Sequence, residues 1–379
     1  MTVKALGVVT DLFTRLHAGG IVYCHWKSNE HLEASMSGAT DFDLLIDRND
    51  AQAVMAIFSE LHIKRFEVAP FHRYPGVEDY LCVDPETAKL IHLHVHYQLT
   101  VGEKLLNGHR LPWEDIVLST RELDARHEIY VADPHVELVL LVARAALKLR
   151  LRDLLLGTFR RSWFQQKVLR EFAWLARRVE RERLLDVAGR LVGARAARIL
   201  LEMVDAAPRK RRLLAFRRAC EPSLKRYRSY SSWGARIRRW LREARTLWWW
   251  MENRYHGVPK NSSRTCPQGG SVIAFVGDRP GRRSAIARAV AEWLAEEVAV
   301  VPIRPAPRLP ARARRARSLG HVVIVDGWPA AESSAPDVVV NLDSSPSPYP
   351  PTTRVVDIDA NLPIERVLPE VKHAIWQYI

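Results

Sequence analysis

The sequence predicts a multi-domain α/β chain made of a small mixed sheet, a helical middle region and a C-terminal parallel α/β unit. Three observations carry that prediction. Short apolar runs with a period of two alternate with helical stretches from about residue 20 to 100. Helical periodicity alone continues from 133 to 256. After a stretch rich in Gly, Pro and Ser, strand and helix patterns alternate again from 271 to the end, the order that builds a parallel sheet.

Taken in order, "MTVKALGVVTDLFTRLHAGG" reads as a helix ended by Gly19 and Gly20, not as a basic stretch leading to an apolar core and a cleavage site. Strands follow in "IVYCHW" and "DFDLLID", a helix in "DAQAVMAIFSELH", and strands in "YLCVD" and "LIHLHVHYQL" around a "DPET" turn. Asp133 as N-cap and Pro134 at the first helical position open the helical region. Its first helix carries Leu138, Leu141, Val142, Ala145 and Leu149 as an apolar stripe. "GVPKNSSRTCPQGG" reads as a linker. The last unit contributes strand "SVIAFVG", helix "SAIARAVAEWLAEE", strands "HVVIVDG", "DVVVNLD" and "TRVVDID", and a closing helix, with "PIRPAPRLPARARRARS" as a solvated connection. The expected boundaries are 1–132, 133–256, 257–270 and 271–379.

Bulk properties narrow the partners. The 379 residues are 47% hydrophobic, enough for ordinary buried cores, and the formal charge of +14 favours anionic partners: nucleotides, nucleic acid or an anionic membrane surface. No recognisable nucleic-acid-binding module accompanies the charge. Cys24, Cys82, Cys220 and Cys266 are scattered without a C-x-x-C pair, which indicates neither a zinc site nor a disulfide framework and fits a reducing cytoplasm. The longest apolar run, "VELVLLVARAAL", is broken by Glu137 and Arg144 and falls below the roughly 20 residues a spanning helix needs, so no transmembrane segment is expected.

Two places carry chemistry. In "SGATDFDLLID", Asp41 and Asp43 lie two residues apart, so their carboxylates leave one strand face while Phe42, Leu44 and Ile46 leave the other. Paired carboxylates of this kind can hold a divalent metal, Mg2+ or Mn2+. Upstream, "HWKSN" ends a strand with Lys27 and Ser28, a cation and a hydroxyl placed where a triphosphate could be held. These residues resemble the nucleotidyltransferase superfamily over about residues 20 to 150. The resemblance implies a metal-binding Asp-x-Asp strand, a Gly-Ser loop, a third acid on a neighbouring strand, and an NTP as substrate. Lys27-Ser28 stands where that family has Gly-Ser. The strand for the third acid reads "LIHLHVHYQL" and puts His92, His94 and His96 on one face; the resemblance implies His94 at that position, with Glu78 or Asp79 as substitutes. Histidine is the poorer magnesium ligand, so the change points to a softer metal, a base or lost activity. Arg144 and Lys148, four apart on one helical face, either contact nucleotide phosphates or form a solvated basic face.

The second place is "GDRPGRRS". Aligned on G-x-x-x-x-G-K-[ST], Gly277 and Ser284 are kept, Arg282 replaces glycine, Arg283 replaces lysine, and Gly281 sits one place early. Arg282 is expected to obstruct the phosphate cradle. The surroundings, including Asp326 in "VVIVDGWP" and the strand "PDVVVNLD", resemble thymidylate kinase, a P-loop nucleoside monophosphate kinase, over Ser271 to Ile379. Gly327 stands where that motif has arginine, and the stretches for the substrate helices and lid are short. The resemblance therefore implies a degenerate kinase-like scaffold with an anion site at a helix N-terminus.

Between the two units, "SSWGARIRRWLREARTLWWWMENRYHG" is an amphipathic helix with aromatic ends, suited to packing against a neighbouring domain and also to a membrane interface. The fusion resembles bacterial proteins associated with extracellular polysaccharide production. The leading expectation is a metal-dependent nucleotidyltransferase acting on an unidentified acceptor. A nucleoside monophosphate kinase-like, ATP-binding enzyme and a non-catalytic nucleotide- or membrane-binding adaptor are the alternatives. The expected location is the cytoplasm or the inner face of the membrane.

Overall fold

A computed structural model describes residues 4–69, 73–103, 106–148, 163–206, 208–255, 264–277, 279–303, 309–328, 335–342, 353–359 and 361–379. The protein is mixed α/β. α1 (Gly7–Ala18), β1 (Tyr23–His25), α2 (Leu32–Met36), β2 (Phe42–Ile46), α3 (Ala51–Glu60), β3 (Lys64–Val68), β4 (Val77–Val83) and β5 (Leu90–His96) come first. The ribbon β6 (Leu99–Val101) and β7 (His109–Leu111) follows, then α4 (Glu114–Ser119), β8 (Glu122–Asp124) and β9 (Ile129–Val131). The middle is helical: α5 (Pro134–Lys148), α6 (Trp163–Ala176), α7 (Arg181–Val192), α8 (Ala194–Ala206), α9 (Lys210–Lys225) and α10 (Ser232–Tyr255). The end is β10 (Arg264–Thr265), β11 (Val272–Val276), α11 (Pro280–Ala295), β12 (Val300–Ile303), α12 (Leu309–Ser318), β13 (Val322–Asp326), β14 (Val338–Asn341), β15 (Arg354–Asp357) and α13 (Ile364–Trp376).

The first sheet runs β10-β3-β4-β5-β2-β1-β9-β8 and is mixed: β2 pairs parallel with β5, and β1 antiparallel with β2. Its alternation sorts two faces. Phe42, Leu44, Ile46, Tyr80, Leu93 and Val95 pack against α1 and α3. On the other face, Cys24, Trp26 and Leu45 join the helical core around α5. Leu81, Val83, Leu90 and Phe66 join the core of the C-terminal unit with Ile286, Trp293 and Trp376. A strip between these two covered patches carries Asp41, Asp43, Asp79, His92, His94 and His96 instead of apolar residues.

The second sheet is parallel throughout, in the order β12-β13-β11-β14-β15. β11 lies at its centre, with the strands that follow placed on either side, so the loop after β11 opens at a topological switch point. Several local expectations need correction. "PIRPAPRLPARARRARS" is not merely a solvated connection: it holds the end of β12 and α12, whose Ala313 and Ala316 are buried. β3 and β12 had no clear alternating signature; each is fixed by pairing with a neighbouring strand. Residues 264–265 of the linker-like stretch form edge strand β10 on β3, while residues 257–263 lie outside the described set, as does Leu149 of the α5 stripe. α5 is buried nearly all round because the sheet, α6, α7 and α9 surround it. Among the described residues no helix is long and apolar enough to cross a membrane.

β10 also ties the two units. Arg264 Nε donates to Asp79 at 3.0 Å and its guanidinium pairs with Glu297, just after α11. Gly270, between β10 and β11, is held by its N–H to the Arg317 carbonyl at 2.8 Å, and a Cβ there would stand 1.7 Å from the His321 carbonyl oxygen. Because that oxygen is backbone and cannot swing away, Gly270→Ala is expected to cost about 3 kcal/mol. Chemical denaturation checks this; an unchanged midpoint would contradict the packing described.

Candidate metal and anion site

β2 brings Asp43 to the centre of the polar strip, and the strand register does the rest. Asp43 lies beside His94 on β5, which lies opposite Asp79 on β4. His94 Nδ1 donates to Asp43 Oδ1 at 3.2 Å, His96 Nε2 stands 3.6 Å from the same oxygen, and Lys27 Nζ reaches it at 2.6 Å. Burial alone would raise the Asp43 pKa. Lys27 first, then the imidazoles of His94 and His96, overcome burial and hold it well below the usual carboxylate range. His96 is pushed down to about 3 by burial and then by His94, so it stays neutral. Burial also lowers Lys27, against the pull of Asp43.

The Asp43, His94 and His96 ligand atoms all lie within 4.8 Å of one another, so these three side chains could hold a metal ion. The donor set fits one: His96 is buried, and neither of its ring nitrogens has a hydrogen-bond partner among the described residues. A lone pair left without a donor in a dry position is costly unless something else takes it.

Asp41 is used differently. It ends outside β2 with its side chain 56% exposed and accepts from His92 Nδ1 at 3.1 Å. His92 Nε2 donates to Asp79 at 2.7 Å. Burial would lower His92, but the bonds to Asp41 and Asp79 raise it to about 9, so it bridges the two carboxylates as a cation. Asp41 and Asp43 thus share a face as expected but serve separate clusters. Glu78 is not a substitute third acid. It lies on the opposite face, where its carboxylate accepts from Tyr80 Oη at 2.6 Å and pairs with Arg65 at 3.3 Å. Asp79 is on the correct face, committed to His92 and Arg264.

Lys27 and Ser28 sit together after β1, with Ser28 left-handed at φ 60°. The loop amides point inward. Ser28 N–H donates to Glu171 at 3.2 Å and Asn29 N–H to Glu137 at 3.1 Å, so neither is presented to an external anion. The cations converge instead. Arg144 stacks over Trp26 at 5.3 Å and Lys27 lies 4.9 Å from the same ring. Arg144 Nη1 is buried without a hydrogen-bond acceptor among the described residues. Lys148, one turn further along α5, is lowered to about 8, first by desolvation and then by Arg144 and Lys27. Arg144 and Lys27 thus converge on Trp26 beside Asp43, while Lys148 is exposed at the end of α5.

The composition of α5 hid one feature. Glu137, which interrupts the apolar run, is fully buried and raised to about 8 by burial and then by Glu171; Glu30 is raised to about 7 by the same two causes. An acid inside an apolar helical run was the available signal. A cavity of about 580 Å³ behind the loop is lined by both signs of charge, Glu30, Glu33, Asp124 and Glu137 together with Arg126 and Arg178.

At the second place, Arg283 and Ser284 fall in the first turn of α11 and turn inward. Arg283 Nε donates to Asp326 at 2.8 Å and Nη1 to the Gly277 carbonyl at 3.0 Å, while Ser284 Oγ donates to the other Asp326 oxygen. The basic side chain at the lysine position thus closes over the loop. Arg282 does not obstruct a cradle, because it is helical and donates to the Leu362 carbonyl. Gly281 is also inside α11, and a Cβ there would meet nothing within 4 Å. A groove of about 510 Å³ runs along α11 past Ser284, Arg288, Glu292, Pro302 and Asp326. The lid-like stretch at 343–352 lies outside the described residues. Comparison with known family models, curated proteins and solved structures returns no match.

Glu137 gives a pH test. Its folded pKa of about 8 lies above its ordinary 4.5, so the unfolded chain releases this proton first. Stability therefore falls as pH rises from about 4.5 to about 8, by on the order of 5 kcal/mol from this group. Glu137→Gln keeps a neutral partner for Asn29, whose side-chain amide can flip against His25, and should flatten that fall in denaturation curves taken across the range. An equally steep fall in the variant would show that Glu137 is not the group responsible.

Proposed function

We propose that the protein is a metal-dependent nucleotidyltransferase, moving a nucleotidyl group from an NTP to an acceptor. One observation carries the reading: a carboxylate and two imidazoles able to hold a metal stand beside Lys27, Arg144 and Lys148, which together match a metal-bound triphosphate in charge. Asp43, His94 and His96 would hold the ion, and two imidazoles with one carboxylate favour manganese or a softer metal over magnesium. When bound, the ion supplies charge neutralisation at the phosphates and activation of the attacking oxygen.

The chain's own residues set the orientation. Lys27 has to share its charge between Asp43 and a phosphate oxygen, since its Nζ is already 2.6 Å from the carboxylate. Arg144 brings a buried Nη1 that has no acceptor among the described residues, and the bidentate guanidinium fits a phosphate edge. Trp26 supplies a flat floor under both cations. Ser28 and the loop amides contribute shape rather than anion contacts, because Glu171 and Glu137 occupy the amides. His92 and Arg264 fix Asp41 and Asp79 at the edge of the strip.

The C-terminal unit is then a buttress. Its loop-side groups Arg283, Ser284 and Asp326 satisfy one another, which speaks against the kinase alternative. Asp43→Asn is expected to lower metal-dependent turnover of triphosphates by roughly a thousandfold. Arg283→Ala should leave it nearly intact. Product masses after incubation with each NTP and Mn2+ or Mg2+ decide the matter, and the reverse pattern would move the chemistry to the C-terminal unit.

A further inference from the structure

The helix α10 is amphipathic the wrong way round for a globular protein. At 100° per residue, Trp233, Ile237, Trp240, Leu241, Leu247, Trp248 and Met251 fall within an arc of about 120°. The sequence pattern suits packing against a neighbouring domain and also a membrane interface. The structure turns it outward: Trp233, Trp240 and Trp248 are 73%, 66% and 69% exposed. Seven of the twelve large hydrophobic residues exposed among the described residues lie on this one helix. Scattered exposed hydrophobics are ordinary, but a continuous stripe of this kind marks an interaction surface.

The opposite face explains the inversion. Arg239 forms an ion pair with Glu103, and Arg242 donates to the Arg73 carbonyl at 3.4 Å and lies over Tyr74 at 5.4 Å. Arginine contacts therefore hold the helix to the body, and Ala235, Thr246, Trp249 and Trp250 are partly covered on the same side. Arg236 and Arg245, both exposed, flank the apolar stripe on either edge.

We propose that α10 is a membrane-docking helix whose tryptophan stripe enters the headgroup and acyl-chain boundary of an anionic bilayer. The apolar side chains supply insertion, tryptophan suits the interface, and the flanking arginines face lipid phosphates. Charge selects this occupant over a second copy of the chain. Each copy carries +14, and the stripe edges keep an excess of arginine, Arg236 and Arg254 against Glu243 on one side and Arg238 and Arg245 against Glu252 on the other, so stripe-to-stripe pairing would bring net positive edges together. An anionic leaflet neutralises the same edges.

The test uses the full-length chain in cosedimentation with phosphatidylcholine vesicles, with or without about one-third phosphatidylglycerol. Binding is expected to the anionic vesicles, to weaken with added salt, and to drop at least about tenfold in the double variant Trp240→Glu/Trp248→Glu. Because both side chains are exposed, the variant should keep the wild-type circular dichroism and melting. Acyl-chain-brominated lipids provide a measurement on the wild type alone, and quenching of tryptophan emission is expected. Absence of sedimentation with anionic vesicles, undiminished binding by the variant, or a wild-type dimer in light scattering that the variant abolishes without any vesicle binding would each overturn the proposal.

Discussion

The negative charge of Asp43 is the constraint around which this structure is arranged. It stands on a sheet face between two apolar cores, where an uncompensated carboxylate is costly to bury. Compensation comes from three directions: Lys27 at the end of β1, His94 in register on β5, and His96 two residues on. Each depends on a neighbour. Lys27 is positioned by the left-handed turn at Ser28, which Glu171 holds through the amide, and His94 by the parallel pairing of β2 with β5. A cluster that stabilises one carboxylate in this way also presents ligand atoms to a cation, so structural compensation and metal affinity are two aspects of one arrangement.

Two charge layers meet at this point. Behind the Lys27–Ser28 loop lie Glu30, Glu137 and Glu171, two of them held protonated up to about 7 and 8. In front lie Lys27, Arg144 and Lys148. Lys27 beside Asp43 and Arg144 over Trp26 make this side of the loop the basic one. The C-terminal unit takes part at a distance. Through Arg264 it grips Asp79, which grips His92, and its core shares Phe66, Leu81 and Leu90 with the first sheet. α10 adds a second directional feature: its arginine face holds the body and its apolar face is presented outward.

Much of this was legible in the residues. The period-two pattern placed Asp41 and Asp43 on one face of "DFDLLID" and His92, His94 and His96 on one face of "LIHLHVHYQL", since alternation in a half-buried strand leaves little freedom; that the two sets meet follows from the β2–β5 register. The parallel C-terminal sheet followed from alternating strand and helix patterns. Other features depend on tertiary contacts that no local pattern encodes. Glu78 and Asp79 were equal candidates by sequence, because the phase of β4 is fixed only by its register with β5, which sets Asp79 opposite His94. The convergence of Arg144 and Lys27 on Trp26 follows from how α5 crosses the sheet. The outward stripe of α10 cannot be read from its moment, because amphipathicity gives two faces without saying which one meets the protein.

The most direct test is a crystal structure with Mn2+ and a non-hydrolysable triphosphate, using anomalous scattering to place the metal. The account predicts a manganese peak ligated by Asp43 with His94 and His96, and phosphates against Lys27 and Arg144. A peak at Ser284 and Asp326, or triphosphate bound at the loop after β11 with the first sheet empty, would contradict it.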